Sequence, residues 1–583
     1  MLRPSPGWHA VFVVALCFPA AANAQAPPAQ DQNSAEVTTH DTPATFRTKV
    51  NLVLVPVVVR DKSGRAIGNL HKEDFQISDR GKPQIISSFS IETLANPSPE
   101  PVKTLPAENG VEAPASAAQA VMPNRFVAYV FDDVHISLSD LMQVRAAAQR
   151  HLTGSLVPTD RAAIFTTSGR TTLDFTDDRA KLLETLLRLN PQPIARSPVQ
   201  ECPDISYYQA DLIVNKNDPL ALNAAVQDTF ACMRLDPTDA SSRTLAQTVS
   251  TGQAQHVLQT GEVETQAALT VLNQVVRRLS TMPGKRSIIL ASPGFITLAD
   301  LFSEKSALID HAIRANVIIS TLNARGLYTV IPGGDASQPN PQSAAGAMIR
   351  AQYETNSSTV GEDVLAELAY GTGGVFFHND NDLFEGFNRV AARPDFIYVL
   401  GFSPENLKLD GRFHALKITV RNSGKLDLQA RRGYYAPQHL ADPGETAKEE
   451  IRDALFSREE LRDIPVEIHT QFFKSSVENA KLAVLARVDV KHLRFRKENG
   501  RNMDNLTVVS GVFDRNGNLI TGNQKTVEMH LKDQTLESRL DHGITVRSSF
   551  DVKPGSYLVR LVVRDSEGEL MAAANGAVEI PMN

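Results

Sequence analysis

The most regular pattern of apolar and polar positions lies in the middle of the chain, over residues 124–392. Apolar runs of strand length alternate there with stretches in which apolar residues recur at helical spacing. Residues 126–131 form the first apolar run, and Leu141, Val144 and Ala148 then fall on one face of a helix. Buried strands that alternate with helices are typical of a mainly parallel sheet covered by helices on both faces. We therefore predict a doubly wound α/β domain at residues 124–392.

One long segment, residues 191–263, interrupts this alternation. It contains Cys202 and Cys232, and its residues 207–230 have helical character. We expect an insertion that elaborates the surface of the domain and does not enter its sheet. After it, residues 265–279 carry apolar residues at helical spacing, which predicts the next helix of the domain.

Strand-like patterns flank the α/β domain on both sides, at residues 46–95 and 395–436. The first flank holds about four strands and the second about three, and neither can bury a core alone. Together they make about seven, a common number for a sandwich. Because the termini of α/β domains often lie close together, we predict that this domain is inserted into a β-sandwich built from both flanks.

The rest of the chain divides by composition. Residues 460–583 again show strand patterns and predict a C-terminal β-sandwich. Residues 25–45, 96–123 and 437–459 are rich in residues such as Pro, Ala, Gly or Glu, and we expect a disordered leader, a linker and a hinge. Asp514 and Gly517 belong to an Asp-x-x-Gly motif between strands, which predicts a turn; calcium ligation is the alternative.

The first 24 residues have the features of a secretory signal peptide. Arg3 is followed by the short apolar segment 11–18 and by Ala22 and Ala24, which are suited to a cleavage site. The apolar segment is too short to span a bilayer. Cys17 offers lipidation as an alternative, although Leu16 before it is bulky. We expect an exported protein, periplasmic or secreted, with no integral membrane segment in the mature chain.

Removal of the signal peptide would leave Cys202 and Cys232 as the only cysteines of the mature chain. In an oxidising compartment such a pair is expected to form a disulfide. Closing a loop of about 30 residues would stabilise the protein by roughly 3–4 kcal/mol in the chain-entropy model. The alternative is two unrelated buried thiols.

Composition and motifs exclude several classes of function. A length of 583 residues implies about two to four domains, and a net charge of −7 argues against a nucleic-acid-binding protein. The chain has no G-x-S-x-G, H-E-x-x-H or P-loop motif. We therefore expect a protein that is not an enzyme; the alternative is a hydrolase with dispersed catalytic residues.

The first strand of the α/β domain ends on two carboxylates, Asp132 and Asp133, and Ser137 follows. Binding sites in open α/β sheets collect at the carboxyl ends of strands. Carboxylates next to hydroxyls suit a divalent cation or an adhesion site. The alternative is structural, because Ser137 with Asp140 resembles a helix cap and the two Asp side chains could accept from loop amides.

These features resemble a von Willebrand factor A domain, and the wider order of motifs is similar to acidobacterial-type VWFA-related proteins. The resemblance covers residues 45–437 and includes Asp132, Asp133 and the Ser292-Pro293-Gly294 segment. It implies a protein ligand bound at a metal-ion-dependent adhesion site. The candidate metal residues are Asp132, Asp133, Ser137 and, by its order along the chain, Thr265.

This chain departs from the motif of that adhesion site. Counted from Asp132, the two Ser positions are Val134 and Ile136, and Ser292 stands where a later Asp is expected. The loss of charged ligands should weaken cation binding severely. We therefore expect a degenerate site without a resident metal ion, with Mg²⁺ or Ca²⁺ as the alternative, and adhesion or protein–protein interaction as the function.

Overall fold

The protein combines one α/β unit with two units of antiparallel sheet, which confirms the predicted mixture of α/β and all-β structure. The computed structural model describes residues 36–42, 53–61, 65–93, 123–194, 202–328, 344–392, 396–404, 412–421, 426–436, 443–457, 460–476 and 478–581. The predicted signal peptide and residues 96–122 of the predicted linker lie outside these residues.

The described residues up to residue 93 are mainly β structure. Its strands are β1 (Val37–Thr42), β2 (Val53–Arg60), β3 (Phe75–Asp79), β4 (Lys82–Gln84) and β5 (Ile86–Thr93).

The α/β unit follows with strands and helices in alternation. Its elements are β6 (Arg125–Phe131), α1 (Leu138–Gly154), β7 (Asp160–Thr166), β8 (Thr172–Thr176), α2 (Arg179–Leu187), α3 (Tyr207–Val214), α4 (Pro219–Met233), α5 (Ala240–Ser280), β9 (Lys285–Ser292), α6 (Phe302–Arg314), β10 (Val317–Asn323), α7 (Ala344–Thr372), β11 (Phe376–Phe377) and α8 (Leu383–Val390).

The remainder is again dominated by strands. Its elements are β12 (Phe396–Phe402), β13 (Phe413–Val420), β14 (Asp427–Ala430), β15 (Gly433–Tyr435), α9 (Pro443–Phe456), β16 (Leu461–Arg462), β17 (Val466–Lys474), β18 (Ala480–Val488), β19 (Arg496–Glu498), β20 (Arg501–Phe513), β21 (Leu519–Leu531), α10 (Asp533–His542), β22 (Ile544–Val552), β23 (Gly555–Asp565) and β24 (Met571–Ile580).

The central sheet of the α/β unit has the order β11-β10-β9-β6-β7-β8. Its pairs are parallel except for β8, which runs antiparallel to β7. Helices α5, α6 and α7 pack on one face, where Leu272 and Leu365 are buried. Helices α1, α2 and α8 pack on the other, where Leu141 and Phe387 are buried. Because both faces are covered, the central strands are apolar on both sides.

The predicted insertion is less separate from the domain than we expected. Its last part belongs to α5, which begins at Ala240 and continues without a break to Ser280 under the sheet. The expected helix at 207–230 is two helices, because Asp218 caps a new helix that has Pro219 at its first position. Residues between Ile205 and Leu258 form a small core of their own, which includes Ala210, Ala221 and Ala254.

Strands from both flanks of the α/β unit form one sandwich. Strand β12 pairs with β2 and β5, and β13 pairs with β3. In the described residues the two sheets are β14-β2-β12-β5 and β15-β13-β3-β4, so eight strands stand where we expected about seven. The added strand is β15, whose backbone pairs with β13. Val55, Val57, Tyr398 and Leu400 lie in the shared core.

The C-terminal sandwich contains a strand from the other end of the chain. Its larger sheet has the order β1-β21-β20-β23-β24-β16, and β17-β18-β22 forms the smaller one. Strand β1 pairs antiparallel with β21 over six residues. The expectation of a disordered leader at 25–45 is therefore wrong for residues 37–42. Edge pairing supplies backbone hydrogen bonds that a composition rich in polar residues does not reveal.

The prediction of a hinge at 437–459 is also wrong, because helix α9 lies within this segment. Ile451, Ala454 and Leu455 are buried against Val509 and Val562 of the larger C-terminal sheet. The prediction missed this helix because residues 437–448 are acidic and contain Pro and Gly, which favours a hinge.

The turn at Asp514–Gly517 joins the C-terminal sandwich to the α/β unit. Asp514 accepts from the amides of Asn516 and Asn518, both at 2.8 Å, as expected for turn chemistry. Arg161 donates to the carbonyl oxygen of Arg515 at 3.0 Å, and Arg286 donates to that of Phe456 at 2.7 Å. These contacts lie at the amino ends of β7 and β9, which leaves the carboxyl edge of the central sheet on the opposite side.

Candidate functional site

The carboxyl ends of four neighbouring parallel strands bring polar residues together. Phe131 lies opposite Thr166 in β7 and opposite Ala291 in β9, and Asn323 of β10 lies opposite Ser292. The residues at the end of each strand, or just after it, therefore reach the same edge. This places Asp132, Thr167 and Ser292 side by side.

The carboxylate of Asp132 is fully buried and accepts hydrogen bonds from three loops. Thr167 donates to Oδ1 at 2.7 Å, and Ser292 donates to Oδ2 at 2.6 Å. Nδ1 of His135 lies 2.9 Å from Oδ1 and 3.0 Å from Oδ2. The amides of Val134 and His135 also donate to Oδ1. Asp132 thus ties the loops after β6, β7 and β9 to one another.

Asp132 and His135 stabilise each other's charge. Burial raises the pKa of Asp132, but the charge of His135 and the hydrogen bonds from His135, Ser292 and Thr167 outweigh it and lower that pKa to about 2. Burial lowers the pKa of His135, but the adjacent Asp132 carboxylate raises it by more. The pKa of His135 is therefore above its ordinary value. The imidazole ring also stacks on Phe295 at a centroid distance of 5.4 Å.

Asp133 is buried beside Asp132 and accepts from the loop after β7. The amide and the hydroxyl of Ser168 donate to its two oxygens at 2.8 and 2.6 Å, and the Thr167 hydroxyl lies 3.3 Å from Oδ1. Asp133 therefore holds the same neighbouring loop that Asp132 contacts.

The other two candidate residues have local structural contacts. Ser137 is the N-cap of α1, and its hydroxyl accepts from the amide of Asp140 at 3.1 Å. The hydroxyl of Thr265 in α5 donates to the carbonyl oxygen of Ile296 at 3.0 Å. Of the four candidates, the structure joins Asp132 and Asp133 in one network, through Thr167.

The side chains at this edge do not form a ligand set that fits a divalent cation. A cation needs carboxylate oxygens that are free to replace its hydration shell. Both oxygens of Asp132 already accept from hydroxyl groups, and the ring of His135 lies across them. Within the described ranges, no group of three or more His, Cys, Asp or Glu side chains is arranged to hold a metal ion.

Sequence reasoning missed Thr167 and Ser168, and it assigned no role to His135. One signal could have found the first two: they follow β7, a parallel neighbour of β6, and the ends of such strands meet at one edge. The role of His135 depends on the fold of the loop after β6. No spacing rule predicts that its ring turns back onto Asp132.

The loop after β9 approaches α7 closely at a glycine. Gly294 has φ of 92°, and a Cβ atom there would lie 2.4 Å from the carbonyl oxygen of Gly361. Only glycine tolerates both conditions at low cost. The Ser292-Pro293-Gly294 segment thus packs against the wall of the site.

A polar groove of about 410 Å³ lies above this network. His135 and Pro293 line it near the sheet, and Ser137, Ser139 and Asp140 at the start of α1 line one side. The remaining lining residues come from the loop before α3, the loop after β10 and helix α7: Ser206, Arg325, Tyr328, Glu354, Ser357 and Ser358.

The disulfide lies at the base of the segment that carries Ser206. Cys202 is bonded to Cys232 of α4, with their Cα atoms 6.0 Å apart. Arg350 of α7 pairs with Asp204 and lies 3.8 Å from Asp228 of α4. The predicted insertion therefore contributes Ser206 to the lining of the groove.

The described residues form one α/β unit and two β-sandwiches. None of its described helices has both the length and the apolar character required to cross a membrane.

Comparison with known protein families and with curated proteins finds no match. Among solved structures, the chain is similar to an aerotolerance-related membrane protein from Bacteroides fragilis NCTC 9343 carrying multiple mutations to serine, with 12% identity over 46% of this chain and 97% of that chain and a TM-score of 0.24.

Two further solved structures show the same low level of likeness. The conserved hypothetical protein BatB from Bacteroides thetaiotaomicron has 11% identity over 46% of this chain and 97% of its own, with a TM-score of 0.21. Three N-terminal domains of the type V pili tip protein Mfa5 from Porphyromonas gingivalis have 12% identity over 85% of this chain and 77% of theirs, with a TM-score of 0.17. TM-scores this low carry no argument about fold or function.

Proposed function

We propose that this is an exported, non-enzymatic interaction protein that binds a protein ligand at the carboxyl edge of a von Willebrand factor A-like domain, without a metal ion. The observation that carries the proposal is the carboxylate of Asp132, which is fully engaged by Thr167, Ser292 and His135. This network replaces a cation as the element that holds the edge loops in place.

The groove above the network supports binding of a macromolecule. Leu138, Leu327 and Tyr328 lie on the segments that line it, and their exposed fractions are 57%, 62% and 54%. Exposed apolar and aromatic side chains around a polar groove are typical of protein interaction sites.

A pull-down from envelope extract tests the proposal. We expect a specific protein to bind the wild type and to be lost in Leu138→Glu, because the new charge lies at the rim of the groove. Ile85→Glu is the matched control, since Ile85 is 73% exposed on the split sandwich. Equal binding by all three proteins would place the interaction elsewhere.

The metal-free part of the proposal is tested by thermal unfolding. Millimolar Mg²⁺ or Ca²⁺ should leave the melting temperature of the wild type unchanged, because a ligand raises it only when it binds the native state. Asp133→Ala serves as the control for non-specific effects of the salt. A rise in the wild type that is absent from Asp133→Ala would restore a cation-dependent site.

A hydrolase is the second candidate, and the Asp132–His135 contact beside several Ser side chains favours it. Among the described residues, however, the side chain of His135 hydrogen bonds to the Asp132 carboxylate and to no hydroxyl. We expect no labelling by a fluorophosphonate probe. Labelling that disappears in a single Ser→Ala variant of the groove would favour the enzyme.

A further inference from the structure

The groove contains a guanidinium group that has no carboxylate partner among the described residues. Arg325 follows β10 and is half-buried, and its Nη1 donates to the hydroxyl of Ser358 at 2.8 Å. None of the described carboxylates forms an ion pair with it. Removing part of a charged group from water without a counter-ion is unfavourable, so this arrangement needs an explanation.

The backbone around Arg325 is held in place by its neighbours. Asn323 accepts from the amide of Arg325 at 2.9 Å and donates to Glu362 of α7 at 2.6 Å. The guanidinium lies 5.7 Å from the centre of the Tyr328 ring. The charge is therefore presented to the groove from a fixed loop.

A nearby arginine shows that carboxylates are not lacking in this region. Arg350, also on the groove side of α7, contacts Asp204, Asp228 and Glu354. Glu354 lines the groove but lies 3.2 Å from Arg350, and is thus paired with it. The contrast with Arg350 shows that no described carboxylate neutralises the charge of Arg325, which leaves that charge available for binding.

We propose that Arg325 anchors an Asp or Glu side chain of the protein ligand, with Leu138 and Tyr328 contacting apolar residues on either side of that carboxylate; this inference rests on the proposed function. The planar guanidinium matches a carboxylate in a bidentate pair, and arginine and tyrosine are frequent anchors of interfaces. The exposed apolar rim favours a peptide segment over a free anion, which would contact only the charge.

The probe for this inference is a library of displayed 12-residue peptides, selected on the immobilised mature protein. We expect the selected peptides to share one acidic residue flanked by apolar residues. Replacing that residue by Asn or Gln, or testing the peptide on Arg325→Gln, should weaken binding at least about tenfold. Arg325→Lys should rescue binding only in part, because an ammonium group cannot form the bidentate pair.

Arg188→Gln is the matched control, because Arg188 is exposed and pairs with Glu184 on α2. It should bind the peptides like the wild type. Melting temperatures of all variants report whether each remains folded.

The outcomes separate this inference from the proposed function. If the selected peptides carry no acidic residue but fail to bind Leu138→Glu, the role of Arg325 is overturned. The groove would then remain the interaction site. Binding that depends on neither residue, or no selection at all, would overturn both. Stabilisation of the wild type by inorganic phosphate alone, absent in Arg325→Gln and without acidic peptides, would replace the protein ligand by a free anion.

Discussion

At the level of single residues, Asp132 joins three loops that are far apart in sequence. Thr167 follows β7, Ser292 is the last residue of β9, and His135 lies in the loop after β6. All three contact the Asp132 carboxylate. The pKa of Asp132 is lowered to about 2, so the charged carboxylate is favoured more in the native state than in the unfolded chain.

We predict that Asp132→Asn lowers the free energy of unfolding by about 3 kcal/mol, because the partly buried His135 loses its counter-ion. The pKa of Asp132 is lowered from 3.8 to about 2, so its contribution is present above pH 3.8 and is lost as the pH falls toward 2. The pKa of His135 is raised above 6.5, so its contribution is present below that pH and is lost as the pH rises through the raised value.

The difference in stability between wild type and Asp132→Asn should therefore be largest between about pH 4 and about pH 6.5. Urea unfolding at several pH values measures it. Ser137→Ala is the control: it should cost about 1 kcal/mol as a lost helix cap, without this pH dependence. A constant difference for Asp132→Asn would contradict the charge pairing of Asp132 with His135.

At the level of elements, the insertion reaches the groove through Ser206, the N-cap of α3, and the disulfide joins the segment before α3 to α4. We predict that the exported protein, when denatured without reduction, has no cysteine that reacts with a thiol reagent, because Cys202 and Cys232 are bonded. The double variant Cys202→Ser, Cys232→Ser should lose roughly 3 kcal/mol in stability.

The same variant should show faster hydrogen exchange in residues 202–214, since the segment before α3 loses its covalent attachment to α4. Exchange in the central strands should change much less. Two reactive thiols in the wild type would rule out the disulfide.

Strand β1 covers the edge of β21. We predict that a mature chain beginning at residue 43 is less stable by about 1–3 kcal/mol than one beginning at residue 36, because six residues of pairing are lost. Amide exchange in β21 should accelerate in the shorter chain, and the uncovered edge should promote aggregation. Equal stability and equal exchange would show that β1 contributes nothing to the sheet.

At the level of the whole molecule, the split sandwich depends on strands from both sides of the α/β unit. We predict that a fragment of residues 124–392 folds on its own, since both faces of its sheet are covered by its own helices. A fragment of residues 25–120 should not fold, because β2 and β3 lack their partners β12 and β13. A cooperative thermal transition of this N-terminal fragment would contradict the prediction.

The sequence by itself determined much of the local structure and the general class of fold. Continuous apolar runs and helical spacing identified β6, α1 and β9, because burial on one or both faces leaves a periodic record. The same pattern predicted that the strands at 46–95 and 395–436 share one sandwich, and they do. It also placed Asp132 and Asp133 at the carboxyl edge of the sheet, where the ends of parallel strands lie together.

Only the tertiary structure decided which groups meet. The pairing of β1 with β21 relies on backbone hydrogen bonds, which leave little trace in side-chain pattern. The contacts of Asp132 with Thr167 and His135, and the absence of a described carboxylate at Arg325, depend on strand register and loop conformation. Periodicity reports that a side chain is buried or exposed; its partners are set by long-range packing, which no local pattern encodes.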